Sequence, residues 1–259
     1  MSDCLFEKRP DGVGLITLNR PESLNAMGGE MMPLLAGYLD ECERDRAVRC
    51  IALTGAGRGF CSGGDVHEII GPLLARGSAE LLAFTRMTCD LVLAIRHCPR
   101  PVIAALNGIT AGAGAVIATA CDIRIASPAA KIAFLFTKVG LSGADMGAAW
   151  LLPRIVGHGR ATELLLTGNF ITADEAFRMG LYNRVVPDAL AEARALAQAL
   201  AVGPAAAHRV TKDALEREAH MDVAAALDHE AQAQASLMLG PDFREAYEAF
   251  VAKRAARFR

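Results

Sequence analysis

One carboxylate stands alone in an apolar stretch. In "GLSGADMGAAWLLPR" (140–154), built mostly from small and apolar residues, Asp145 is the only acid. A carboxylate among such neighbours is costly unless it has a partner or a task. Two roles suit it: an N-cap that accepts N–H bonds at the start of the following helix, or a proton-transfer group whose basicity is raised by desolvation. Two glycine-rich loops add a second chemical element. "GAGRGFCSGGD" (55–65) and "NGITAGAG" (107–114) each lie where a strand ends and a helix begins. The first N–H groups of a helix are unpaired and partly positive, and glycine lets a ligand come close to them. Such a place holds an anion, either a phosphate or an oxyanion formed during a reaction.

The usual phosphate and nucleophile patterns fail. G-x-G-x-x-G breaks at Phe60 after Gly55 and Gly57, and at Ile117 after Gly112 and Gly114, and no Lys-Ser/Thr pair follows either loop. "GLSGA" (140–144) misses G-x-S-x-G by one residue, and nothing selects a base among His158, His208, His220 and His229. Amide donors without a nucleophile fit a carbonyl oxygen held while charge builds on it, which is enolate chemistry. Each such donor is worth about 3 kcal/mol.

The chain that carries these groups has 259 residues, 53% hydrophobic and 22% charged, enough for a sizeable core. A net charge of -2 supplies no basic field for nucleic acid and no polybasic patch for lipid. Seven cysteines without a C-x-x-C pair argue against a disulfide framework or a thiolate zinc site. No apolar run is long enough to span a bilayer, and "MSDCLFEKRPDG" lacks a signal-peptide core, so the cytoplasm is the expected compartment.

Strands are predicted at "VGLITL" (13–18), "CIALTG" (50–55), "PVIAAL" (101–106), "IRIAS" (123–127) and "KIAFLF" (131–136). Helices are predicted at 29–45, where Pro33 is tolerable only near the first turn, at 79–97, and in the small-residue run "AGAVIATACD" (113–122). After Val186 only helical patterns remain: 188–201, 205–218, 223–238 and 243–258. The reading is an α/β core over 1–187 and an all-helical region over 188–259.

These residues resemble the crotonase family, the enoyl-CoA hydratase/isomerase superfamily. The resemblance runs through "ITLNRPESLNAM" (16–27), "GRGFCSGGDV" (57–66), "RPVIAALNGITAGAGAVIATACDIRIAS" (100–127), "GAAWLLPRIVGHGRATELLLTG" (147–168), "ITADEAFRMGLYNRVVP" (171–187) and the C-terminal "FREAYEAFVAKRAARF". It implies a spiral of ββα-type repeats whose C-terminal helices assemble a homotrimer, two of which can stack into a hexamer. It also implies an acyl-CoA thioester as substrate, with no cofactor beyond that coenzyme A and no metal. The thioester oxygen would lie between the N–H groups of Gly64 and Ala113. Leu24, Asn25 and Ala26, the run Ser62, Gly63, Gly64, Asp65, Val66 and His67, and Gly112 would border the coenzyme A arm. Lys253, in the final helix, would meet its phosphates.

The chain departs from the family where water-adding members carry two glutamates; those positions read Val116 and Phe136. Asp145 falls instead on a later position where other members place their acid. That makes it the expected proton-transfer group, though one oxygen could also cap a helix. Glu68 is the best second acid, with a solvated helix-face glutamate as its plainer reading. His67 reads as a polar first-turn residue, Cys61 as inert, Arg154 and Arg160 as ion-pair partners, and Asp122 with Arg124 as a structural salt bridge. Hydration of a 2-enoyl-CoA is placed slightly ahead of double-bond isomerisation. A non-catalytic acyl-CoA-binding protein is the alternative from another class.

Overall fold

The computed structural model describes residues 2–259. β1 (Cys4–Lys8) and β2 (Val13–Leu18) form an antiparallel pair, followed by α1 (Met31–Arg44), β3 (Cys50–Gly55), β4 (Gly59–Cys61), α2 (Gly71–Leu73) and α3 (Ser78–His97). Next come β5 (Val102–Leu106), β6 (Ile109–Ala111), α4 (Ala113–Ala120), β7 (Ile123–Ala126), β8 (Lys131–Ala133), α5 (Ala148–Val156) and α6 (His158–Thr167). β9 (Ile171–Thr172), α7 (Ala173–Arg178), β10 (Arg184–Val185), α8 (Ala189–Ala201), α9 (Ala205–Arg217), α10 (Val223–Met238) and α11 (Pro241–Val251) complete the chain.

The strands make two sheets, in the orders β1-β2-β3-β5-β7-β10 and β4-β6-β8-β9. From β3 onward each turn of chain gives one strand to each sheet: β3 then β4, β5 then β6, β7 then β8. Within each sheet these strands pair in parallel. This is the expected spiral of ββα-type repeats. β3 and β5 are buried at every residue, as befits parallel strands covered on both faces. α3 turns Thr88, Leu91, Val92 and Ile95 inward at helical spacing, so one stripe faces the core. In α4 all seven residues after Ala113 are buried, and small side chains allow that. A Cβ on Gly114 would lie 2.5 Å from the carbonyl oxygen of Cys61, so only glycine lets α4 sit against the end of β4.

Several expectations need correction. "KIAFLF" is a strand only over Lys131–Ala133; Leu135–Val139 coils into a 3₁₀ turn ended by Gly140 at φ +80°. Asp122 and Arg124 do not pair. Asp122 takes Lys212 of α9 at 2.8 Å, while buried Arg124 donates its Nε to the Leu181 carbonyl at 2.7 Å. Within the all-helical region, α8 joins the core. Ala189, Ala193, Ala197 and Ala201 of α8 form a flat stripe on the larger sheet, closing a second core with Val13, Cys50, Ala52, Ile103, Ala105 and Ile125. α9 is fastened by Lys212 and by Arg96 to Glu216. The last helix ends at Val251, so Lys253 lies beyond it, exposed and at φ +51°. No helix among the described residues is long and apolar enough to cross a membrane.

Candidate active site

β4 and β6 are parallel neighbours, so the chain leaves both strands at the same end of the smaller sheet. The residues that follow are two glycine turns in contact. Gly63 has φ +105° and Gly112 has φ +51° with ψ -123°, conformations that glycine adopts without a Cβ clash. A Cβ on Gly63 would stand 3.2 Å from Ala111 O and 3.6 Å from Gly112 Cα. Both glycines are buried, and each is followed by a half-buried residue, Gly64 or Ala113.

The hydrogen bonds explain what those two residues present. Met27 N–H donates to Gly63 O at 2.7 Å and Asp65 N–H donates to Met27 O at 2.9 Å. In such a parallel bridge the intervening Gly64 N–H faces away from the partner strand. Gly112 N–H donates to Ala133 O at 2.9 Å, and Ala113 opens α4, where no preceding turn offers an acceptor. Among the described residues neither the Gly64 nor the Ala113 amide has an acceptor. Two such donors on adjoining turns can receive one oxygen.

The turn at 24–27 is braced from within. Leu24 and Asn25 are left-handed, at φ +53° and +55°. Asn25 is wholly buried; its Oδ1 accepts Arg20 N–H at 2.8 Å, and its Nδ2 donates to Ala56 O at 2.9 Å and Gly59 O at 2.8 Å. Its side chain is thus an internal fastener. Ser62 is similarly engaged, its hydroxyl donating to Ser23 O at 3.1 Å and its N–H to Leu24 O at 3.0 Å. Asp65 is a cap, accepting the N–H groups of His67 at 2.9 Å and Glu68 at 3.0 Å. These bonds, that from Glu68 foremost, with help from Arg20, hold its carboxyl below the ordinary aspartate range. Ala26 is buried, Leu24 is half-buried, and Val66 and His67 are exposed on the helical segment Val66–Ile70. Glu68 is neither free nor simply solvated, because Arg20 holds it at 2.6 Å. Arg20 itself escaped the sequence reading; two acids three residues apart beside a binding loop are the signal that a cation must meet them.

Asp145 does not cap α5. The N-cap is Gly147 at φ +88°, and it is the Asp145 backbone carbonyl that accepts Ala148 N–H, at 2.8 Å. The carboxylate receives only Met146 N–H, at 2.9 Å, and has no cation partner among the described residues. Burial pushes its pKa above the usual aspartate value, with the Met146 bond opposing. Met146 is left-handed at φ +50°, which costs a non-glycine residue about 1–2 kcal/mol, and its side chain is buried in the core. The loop lies along α3: a Cβ on Gly147 would be 4.0 Å from Val92 Cγ1. One turn earlier on that face, the Cys89 thiol is pushed up by burial and by the Asp145 charge. α4, which opens on Ala113, packs on both α3 and α5, and α5 is the helix that follows the Asp145 loop.

Other groups are inert. Val116 and Phe136 are buried hydrocarbon, and Cys61 is pushed up to about 12 by burial. Arg154 lies 3.9 Å above the Trp150 ring and makes no ion pair among the described residues. Among those residues no three His, Cys, Asp or Glu side chains converge as a metal site.

The family model described as "Enoyl-CoA hydratase/isomerase" matches residues 8–259. The chain belongs to the enoyl-CoA hydratase/isomerase family. It is 41% identical to 1,2-epoxyphenylacetyl-CoA isomerase of Escherichia coli strain K12, covering 100% of this chain and 99% of that one. A crystal structure of a homologue from Streptomyces coelicolor A3(2) is 51% identical, with a TM-score of 0.96 over 100% of this chain and 94% of that one. The enoyl-CoA hydratase of Bacillus anthracis is 31% identical, with a TM-score of 0.92 over 99% of each chain.

An acid of this enoyl-CoA hydratase/isomerase chain whose folded pKa is raised destabilises the fold once ionised. The penalty is absent below the unfolded pKa and complete above the folded one. Asp145→Asn therefore melts at or above the parent temperature near pH 8, and its advantage shrinks toward about pH 4. Melting curves of both proteins across that range check this. A variant that melts lower at every pH would show that the carboxylate stabilises the loop.

Proposed function

We propose that this protein acts on an acyl-CoA thioester through an enolate, with Asp145 as its one proton-transfer group. The observation that carries the reading is a half-buried carboxylate with no cation partner among the described residues, on the loop into a helix that packs against the one Ala113 opens, together with two amides, of Gly64 and Ala113, that lack acceptors among those residues. The thioester oxygen binds the amides of Gly64 and Ala113. Asp145 takes a proton from the carbon next to the carbonyl, and the electron pair moves onto that oxygen as the amides hold the charge. The same carboxyl then returns the proton to a different carbon, so the formula is unchanged and a double bond has shifted. Leu24, Ala26 and the exposed start of the 66–70 segment border the coenzyme A arm through backbone and apolar contacts. Lys253, outside the last helix, is free to reach phosphates. The substrate's coenzyme A is the only cofactor this reading needs.

Isomerisation takes precedence over hydration because Glu68, the best second acid, is bound to Arg20, while Val116 and Phe136 cannot carry protons. A single carboxyl suffices to move one proton between two carbons. The whole-length likeness to an epoxyphenylacetyl-CoA isomerase supports this order. Hydration is the second reading, favoured by likeness to an enoyl-CoA hydratase, and requires Asp145 both to activate water and to protonate carbon.

A panel of unsaturated and epoxidised acyl-CoA thioesters in oxygen-18 water separates these readings by mass spectrometry. Isomerisation gives unchanged mass with altered retention, whereas a heavier, labelled product establishes hydration. Binding without conversion of any member leaves a non-catalytic acyl-CoA protein and overturns the proposal. On the converted substrate, Asp145→Asn lowers kcat by about a hundredfold to ten-thousandfold with little change in KM. The C-terminal helices expose Val223, Leu227, Leu239, Phe243, Tyr247 and Phe250, an apolar surface suited to a homotrimer or a pair of trimers in the cytoplasm. Light scattering at micromolar concentration should give three or six subunits; a monomer contradicts the assembly.

A further inference from the structure

The two amide donors are not held alike. Ala113 begins a helix of eight residues set in the core, whereas Gly64 precedes a five-residue helical segment with mostly exposed side chains. One residue from outside that segment reaches across it. Arg20 Nη2 stands 2.6 Å from Glu68 Oε1 and 3.3 Å from Asp65 Oδ2, and its Nη1 donates to Ala26 O at 3.3 Å. The Arg20 and Asp65 side chains are each only 11% exposed, so this guanidinium is largely removed from water, unlike an ordinary surface pair. The backbone of Arg20 is tied in as well: its carbonyl accepts Asn25 N–H at 2.8 Å, and its own N–H meets the Asn25 side chain.

The contacts converge on both sides of Gly64. Asp65 is its chain neighbour, and Ala26 precedes Met27, whose backbone bonds to Gly63 and Asp65 turn the Gly64 amide outward. Space for the guanidinium depends on Gly28, where a Cβ would lie 2.1 Å from Arg20 Nη1 and 2.7 Å from Glu68 Oε2.

We propose that Arg20 is a positioning residue for the Gly64 amide, its guanidinium bracing the 26–28 turn against Asp65 and Glu68 so that the donor keeps its aim. The proposal rests on the reading of Gly64 as an oxyanion donor. A planar fork with several donors is needed to meet one carbonyl and two carboxylates at once, and lysine has only a point charge to offer. A donor turned away from the developing oxyanion loses strength in the transition state, while the coenzyme A arm binds as before.

The test uses butyryl-CoA, a saturated acyl-CoA thioester that cannot turn over, carbon-13 labelled at its thioester carbonyl. Infrared spectra of the bound thioester are recorded for the parent, Arg20→Gln, Arg20→Lys and Gly28→Ala, alongside kcat, KM and melting temperature. Binding to the parent moves the carbonyl band to lower wavenumber. Arg20→Gln and Gly28→Ala lose most of that shift, and kcat falls about tenfold to hundredfold at nearly constant KM. Arg20→Lys lies between, and together with Gly28→Ala it carries the test if Arg20→Gln does not fold. Variants that keep the full shift and kcat, while only melting lower, show a merely structural ion pair and overturn the role. Absence of a shift in the parent overturns the oxyanion reading itself, and the role of Arg20 falls with it.

Discussion

The close contact of two glycine turns is the constraint on which the rest of the molecule depends. Gly63 and Gly112 lie against each other, a Cβ on either standing within 3.6 Å of the other's Cα, and both take positive φ values that favour glycine. The spiral makes that contact unavoidable. Each repeat delivers one strand to the smaller sheet, and parallel pairing of β4 with β6 brings their exits side by side. Turning the chain sharply at both exits exposes the next amide, so one topological rule produces two donors. Gly114 extends the same logic inward by letting α4 rest on the end of β4.

Electrostatics complete the arrangement. Amides are fixed dipoles with no net charge to neutralise, so they favour a charge that appears only during reaction. In the proposed reaction Asp145 complements them as the base: burial raises its pKa, and no cation pairs with it among the described residues. Its loop is held mainly by the buried Met146 side chain and by packing on α3, the carboxylate adding one hydrogen bond from Met146 N–H. The acid can therefore change protonation without unlocking the loop. Asp65 shows the opposite design, with its charge stabilised by two amides and Arg20 and spent on structure.

Long elements were legible in the sequence because periodicity has room to show in them. β2, β3, β5 and the helices from α8 to α10 lie close to where apolar spacing puts them. β4 and β6 have three residues each, and β9 and β10 have two, too few for any alternation to register. Those fragments nonetheless form or extend the sheets that set the site. The glycine pattern singled out Gly64 and Ala113, whose amides lack acceptors among the described residues, and the isolated acid singled out Asp145, half-buried and without a cation partner among them. The internal hydrogen bonds of Asn25 and Asp65 were not legible, because a polar residue beside a binding loop looks alike whether it faces ligand or backbone. Burial and two or three satisfied hydrogen bonds decide it, and neither is visible in one dimension. Arg20 was missed for the same reason, since its acidic partners lie more than forty positions away along the chain.

A crystal structure with a slowly reacting acyl-CoA thioester tests the central claim most directly. The account predicts the thioester oxygen at about 2.7–3.2 Å from both the Gly64 and Ala113 nitrogens, with the Asp145 carboxylate beside the carbons that exchange a proton. A thioester oxygen bonded elsewhere, with both amides facing solvent, would contradict it.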